Sequence, residues 1–149
     1  MPEAVKAEFR FLAYRISDFS FTLQEGVKDF ETSMKMDPNL EHARSDDGCH
    51  VGILSLSARI RGRKGKKVVL KLDTTIKGKF EAPGSMEAEI FESFCFTNGT
   101  ATLIPLLRAT IMTFSSQAGM NPPIRIPLIN VPKTFSRDDK VEDKSQCEE

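Results

Sequence analysis

The run NGTATLIPLLRATIMTFSSQAGMNPPIRIPLINV, Asn98–Val131, limits the fold more than any other stretch of the chain. Leu103, Leu106, Leu107, Thr110, Ile111 and Phe114 recur at three- and four-residue spacing, the pattern of a helix with one apolar face. Asn98 and Thr100 have N-cap chemistry. Pro105, about a turn further on, puts the helix start near Leu103 or a kink there. Ser115, Ser116 and Gln117 fade into Gly119, the expected C′ residue, and Pro122-Pro123 prevents a restart. Ile124, Ile126 and Leu128 then alternate with Pro and Arg, as in one more strand, and its prolines suit a sheet edge. A one-faced helix needs an apolar surface to lie on.

That surface lies upstream. Phe9, Phe11 and Ala13 alternate with Arg10, Leu12 and Tyr14, and Phe19, Phe21 and Leu23 resume the period after Ser17-Asp18. Ala7–Leu23 therefore reads as one long strand bent near its middle. Gln24–Gly48 is weakly periodic and rich in acids, with Pro38-Asn39 and Asp46-Asp47-Gly48 as turn chemistry. It reads as a long connection, and long loops are more often functional than idle. His50–Arg61 alternates again, with Leu54, Leu56, Ala58 and Ile60 on one face. Gly62-Arg63-Lys64-Gly65 is a hairpin turn. Lys66–Ala82 returns with Val68, Leu70, Leu72, Thr74, Ile76, Gly78 and Phe80 on one face, and Pro83-Gly84 ends it. Ser85–Phe96 opens like a short helix with a Ser cap and early acids. An antiparallel sheet with one face under a long helix is an α+β architecture. Residues 1–135 read as a single domain, and residues 136–149 as a polar, acidic, disordered tail.

Several function classes are disfavoured. The start, MPEAVKAEFR, has no apolar h-region, so it is not a secretory signal. No apolar run approaches the ~20 residues of a membrane span. The three cysteines, Cys49, Cys95 and Cys147, are odd in number and widely spaced, as reduced thiols of a cytoplasmic protein. His42 and His50 are not spaced as metal ligands with any cysteine and read as surface or loop histidines. Thr113, Ser115 and Ser116 have no His/Asp partner at recognisable spacing, so a nucleophile is not indicated. The expectation is a non-enzyme with neither cofactor nor metal.

Formal net charge is zero, yet it is unevenly laid out. Arg59–Lys79 carries Arg59, Arg61, Arg63, Lys64, Lys66, Lys67, Lys71, Lys77 and Lys79 against Asp73 alone. Such a field suits an acidic protein face or a nucleic acid. The plainer reading is a solvated face whose lysines discourage edge-to-edge aggregation. No aromatic platform is interleaved with the cations, which disfavours nucleic acid.

Four pieces, in this order and spacing, resemble the SecB family of export chaperones over roughly Phe9–Val131. They are FRFLAYRISDFSF at Phe9–Phe21, Gly78-Lys79-Phe80, Leu103-Ile104-Pro105-Leu106-Leu107-Arg108, and the proline-rich run from Pro122 to Asn130. The resemblance implies a four-stranded antiparallel Greek-key sheet with a long helix from the C-terminal half on one face. It also implies a homotetramer built as a dimer of dimers, and ATP-independent binding of unfolded clients. Carried over position by position, client contact falls on Phe30, Met34, Met36, Leu40, Phe80, Ile126 and Leu128. The oligomer interface falls on Leu72, Thr74 and Ile76, and the surface that docks the SecA motor on Asp18 and Asp73. The chain departs from the family pattern in three places. Val131, Phe135 and Val141 are the only large apolar groups where a second helix is usual. Phe30 and Met34, with Met36 beside them, stand for a Phe and a Trp. Thr22 and Lys71 stand where the motor surface has an acid and a leucine. The implied partners are unfolded preproteins or an antitoxin, with SecA as a further one. Two alternatives stand beside preprotein export: a SecB-like chaperone of a toxin–antitoxin system, and a nucleic-acid-binding module using Arg59–Lys79.

Overall fold

The computed structural model describes residues 8–126. Four strands, β1 (Arg10–Leu23), β2 (Glu31–Arg44), β3 (His50–Lys64) and β4 (Lys67–Ala82), precede α1 (Ala88–Phe94) and α2 (Thr100–Gln117). The sheet order is β1-β4-β3-β2 with every neighbour antiparallel. Three hairpin-linked strands with the other laid beside β4 make a Greek key. The helices lie on one face, so the architecture is the α+β one expected.

The strand composition differs from the sequence reading. Glu31–Arg44 is a full edge strand and not a connection. Its inner face runs Met34, Met36, Pro38, Leu40, His42, and its outer face Ser33, Lys35, Asp37, Asn39, Glu41. Pro38 is tolerated because an edge strand can do without one ladder donor. The true connection is Gln24–Phe30, which carries the chain across the sheet end from β1 to β2. Asp46-Asp47-Gly48 is a turn, with Gly48 at φ +83°. The β3–β4 turn is only Gly65-Lys66, with Gly65 at φ +65°, so Gly62 and Arg63 belong to β3. Ile124–Ile126 is not a strand; it runs back along α2, its Ile124 N–H donating to Ser115 Oγ (2.9 Å) and its Ile126 carbonyl accepting from Arg108 Nε (3.0 Å). The remainder of that expected strand, and residues 136–149, lie outside the described residues.

Two bulges bend β1, between Phe11 and Ala13 and between Ile16 and Asp18. Each shifts side-chain parity by one, so Phe11, Tyr14, Ile16, Phe19 and Phe21 all register with inner-face residues of β4. The helical segment is longer than the caps suggest. α1 passes through a π turn, Cys95–Gly99, straight into α2, so Asn98 and Gly99 are helical and Pro105 lies inside α2. α2 ends as expected: Gly119 takes φ +92°, with Gly119 N–H to Ser116 O and Met120 N–H to Ser115 O, a Schellman cap. The close pass of α2 over β4 depends on Gly78, where an ideal Cβ would lie 2.8 Å from Leu103 Cδ2.

The core is the even-numbered face of β3 and β4 under Phe91, Leu103, Leu107 and Ile111. It also takes in His50, with half-buried His42 beside it, contrary to the surface reading. His50 is fully buried. Its Nε2–H donates to the Met86 carbonyl (2.6 Å), its Nδ1 meets His42 Nε2 (2.8 Å), and His42 Nδ1 meets Glu92 Oε1 (3.1 Å). Phe91 stacks on His50 with ring centroids 5.1 Å apart. This relay ties the β2–β3 hairpin to α1. We expect His42→Phe, which keeps a ring against Phe91 and removes both hydrogen bonds, to cost about 1–3 kcal/mol in urea unfolding, because a buried His50 nitrogen loses its partner. A change within ~0.3 kcal/mol would show that the relay adds no net stability.

Candidate functional site

The helices leave part of the inner face uncovered along β1. The exposed large hydrophobics are Phe11, Leu12 and Tyr14 of β1, Ile90 and Phe94 of α1, and Met112 and Phe114 of α2. Phe11, Tyr14 and Phe94 are joined in an aromatic series. Phe94 contacts Phe9 (5.6 Å between centroids), Phe9 stacks on Phe80 (5.2 Å), Phe80 stacks on Phe11 (5.2 Å), and Phe11 neighbours Tyr14 (6.1 Å). The first β1 bulge makes this series, since it returns Tyr14 to the face of Phe11. Further along β1, Phe114 meets Phe19 (4.5 Å) and Phe21 (5.1 Å). Ile90 and Phe94 share one side of α1, being four residues apart. The result is an apolar ledge beside a strand whose outer edge pairs with no other strand among the described residues. Rings at the margin offer buried area, and open N–H and C=O groups offer a ladder; both suit an extended peptide.

The client-contact positions from the sequence are split. Phe30 is half-buried with its ring under β3, 2.6 Å from where a Cβ on Gly62 would stand. Met34 and Met36 are half-buried on β2. Leu40, Phe80 and Ile126 are buried within the single chain, and Phe80 is reached only by displacing Phe9 and Phe11. Leu128 lies outside the described residues. Leu72, Thr74 and Ile76 are also buried within one chain, Thr74 donating to the Asp18 carbonyl (2.8 Å). Sequence reading gave Phe11, Leu12, Tyr14 and Ile90 no site role and favoured the core for Phe94, which is exposed. The available signal was FRFLAY, where large apolar groups occupy both parities of a strand that can bury only one.

The outer face of the sheet is charged. Asp73 accepts both terminal nitrogens of Arg61 (3.0 and 3.1 Å), and Arg59 Nε stands 3.6 Å away. Its charge is thus taken up within the chain. Asp18 lies at the second bulge, accepting from Ser17 Oγ (3.3 Å). Arg10 pairs with Glu81. Among the described residues, no group of three or more His, Cys, Asp or Glu is arranged to hold a metal ion, and no helix is long and apolar enough to cross a membrane.

No family model and no curated protein matches this chain. Among solved structures, it is similar to the Mycobacterium tuberculosis Rv1957 SecB-like chaperone in complex with a ChAD peptide from the Rv1956 HigA1 antitoxin. That likeness has a TM-score of 0.64 at 13% identity and covers 82% of this chain and 91% of that one. It is also similar to a protein of unknown function from Streptococcus agalactiae, with a TM-score of 0.54 at 10% identity, covering 83% of this chain and 100% of that one. The fold is therefore shared with a SecB-like chaperone.

The Asp73 carboxyl is held below its ordinary 3.8, first by the hydrogen bond from Arg61; burial opposes this, and the charges of Arg61, Arg59 and Lys71 add to it. A depressed carboxyl stabilises the fold while ionised. That contribution is full above the unfolded value and disappears as pH falls through the folded one. Asp73 is 42% exposed, so solvent screening keeps it under about 1 kcal/mol. We expect Asp73→Asn to be slightly less stable than the parent at pH 7 and the gap to close on acidification to below 3.8. Paired urea titrations measure this, and a gap that widens in acid would contradict it.

Proposed function

We propose that the protein is an ATP-independent holdase that binds extended apolar segments of unfolded clients and keeps them from aggregating. The observation that carries this is the ledge of Phe11, Tyr14, Ile90 and Phe94 beside the open edge of β1. A folded domain rarely leaves so much large apolar surface together without a partner for it. A client strand laid along β1 gains main-chain hydrogen bonds and buries alternate side chains among the rings. Phe30, Met34 and Met36, half-buried on the other flank, supply a second strip, in which flexible methionines adapt to varied sequences. Many weak contacts along one chain add as avidity without sequence specificity.

In this reading the protein works in the cytoplasm as a homotetramer, a dimer of dimers. Leu72, Thr74 and Ile76 back its interface from within each chain and do not touch across it. The favoured client is an antitoxin, kept soluble to control its toxin. Two observations support that over preprotein delivery: a structure of the same fold is in complex with an antitoxin peptide, and the Asp73 charge needed for SecA docking is neutralised by Arg59 and Arg61 with Lys71 beside it.

The test is suppression of aggregation of a chemically unfolded protein without nucleotide. Burial of each ledge side chain contributes about 1.5–3 kcal/mol before entropy losses. Phe11→Ser/Tyr14→Ser/Phe94→Ser, with its fold checked by circular dichroism and its oligomer by light scattering, should therefore bind clients at least ~10-fold more weakly. A folded, tetrameric variant that protects as well as the parent would overturn the ledge as the client site. Absence of protection by the parent would overturn the holdase reading.

A further inference from the structure

Strand register maps the outer face of the sheet into rows that cross β1, β4, β3 and β2 in turn. One row is Ala13, Lys79, Ile53, Glu41; the next is Arg15, Lys77, Ser55, Asn39; the third is Asp18, Thr75, Ser57, Asp37. The first two rows surround a bowl of about 380 Å³, lined by Ala13, Arg15, Glu41, Ile53, Lys77 and Lys79 together with Tyr14 and Gly78. Three cations, one acid and an aliphatic floor meet there.

The placement of the cations costs stability. Arg15 sits directly opposite Lys77, and like charges facing across a ladder are destabilising. Three other like-charged pairs face across the ladders, Lys35–Arg59, Arg61–Lys71 and Lys64–Lys67; Asp73 binds the arginine of the first two, and Lys64–Lys67 flanks the exposed β3–β4 turn. Among the described residues, Arg15, Lys77 and Lys79 have no carboxylate within ion-pairing distance, whereas Arg10, Arg59 and Arg61 do. Such an uncompensated cluster over an apolar floor is complementary to a ligand carrying carboxylates around an apolar group.

We propose that this bowl docks a short acidic segment of a partner protein in extended conformation alongside β4. Lys77 and Lys79 are two residues apart on one strand, a spacing of about 7 Å. An extended acidic segment repeats its same-side carboxylates at that interval. Ile53 and Ala13 receive an apolar side chain between them, and Arg15 closes a bidentate pair. A nucleic-acid strand fits less well: its phosphates need a continued cation track, and the third row presents Asp18 and Asp37 instead. Tyr14 borders both the bowl and the ledge, whereas Lys77 and Lys79 belong to the bowl alone, so their substitution tests this docking separately from client binding.

The probe is a fluorescein-labelled peptide of about ten residues in which Glu alternates through the sequence around a central Leu, read by fluorescence anisotropy against its Gln-for-Glu counterpart. The parent should bind the acidic peptide in the micromolar range, more weakly as salt rises, and should bind the Gln peptide at least ~10-fold less well. Lys77→Glu/Lys79→Glu should weaken binding at least ~10-fold. The milder Lys77→Gln/Lys79→Gln guards against misfolding and should show the same direction. Lys71→Glu, at the far end of the face, should change binding less than ~2-fold. No binding by the parent at millimolar peptide, insensitivity to both double variants, or an equal loss in Lys71→Glu would overturn the proposal. So would displacement of the peptide by a single-stranded oligonucleotide of the same charge at lower concentration, since the bowl would then be a polyanion site.

Discussion

A sheet of four strands, each 14–16 residues long, is about 50 Å by 19 Å, and the helical rod laid on it is about 10 Å wide. The mismatch between roof and floor governs the rest. Part of the uncovered floor is closed from within: Phe9 folds over Phe80, and residues 120–126 return along α2, held by Ser115 and Arg108. Part is half-covered, as at Met34 and Met36. What remains is the strip along β1, where the two bulges turn aromatic rings inward under too little helix to bury them.

The two faces of the sheet consequently offer different chemistry from one rigid wall. The inner margin presents rings and an open ladder, which reward burial and accept many sequences. The outer face presents charges whose pairing is selective: Asp73 satisfies Arg59 and Arg61, while among the described residues Arg15, Lys77 and Lys79 have no carboxylate partner. An apolar ligand and an ionic one could thus be held by the same strands without competing, since β4 contributes Phe80 to one side and Lys79 to the other.

Local patterns carried the architecture. The β3–β4 hairpin, the apolar stripe of α2 and its Gly119 cap are short-range features, and each was legible in the chain. β2 was not, although Met34, Met36, Leu40 and His42 alternate with polar residues as cleanly as any strand here; Pro38 in the middle reads as a turn unless the strand is known to be an edge. The second bulge of β1 falls at Ser17-Asp18, where the sequence already reads as a bend; the first leaves no local mark, so parity could not be followed through Leu12. The histidine relay was hidden for a further reason: its members come from β2, β3 and α1, and spacing along the chain says nothing of three elements meeting. The ledge was half legible, as apolar excess in FRFLAY, but which parity stays outside depends on how much sheet the helices cover.

The Greek-key order has a consequence for biosynthesis. Among the described residues β1 pairs only with β4, Leu23 with Leu70 and Arg10 with Glu81, so the strand of this sheet made first waits for the one made last. At about 5–20 residues per second, that interval is several seconds. Throughout it, the most aromatic strand of the chain has no ladder partner and no helix above it. A protein with this topology is, during its own synthesis, the kind of nascent chain that aggregates.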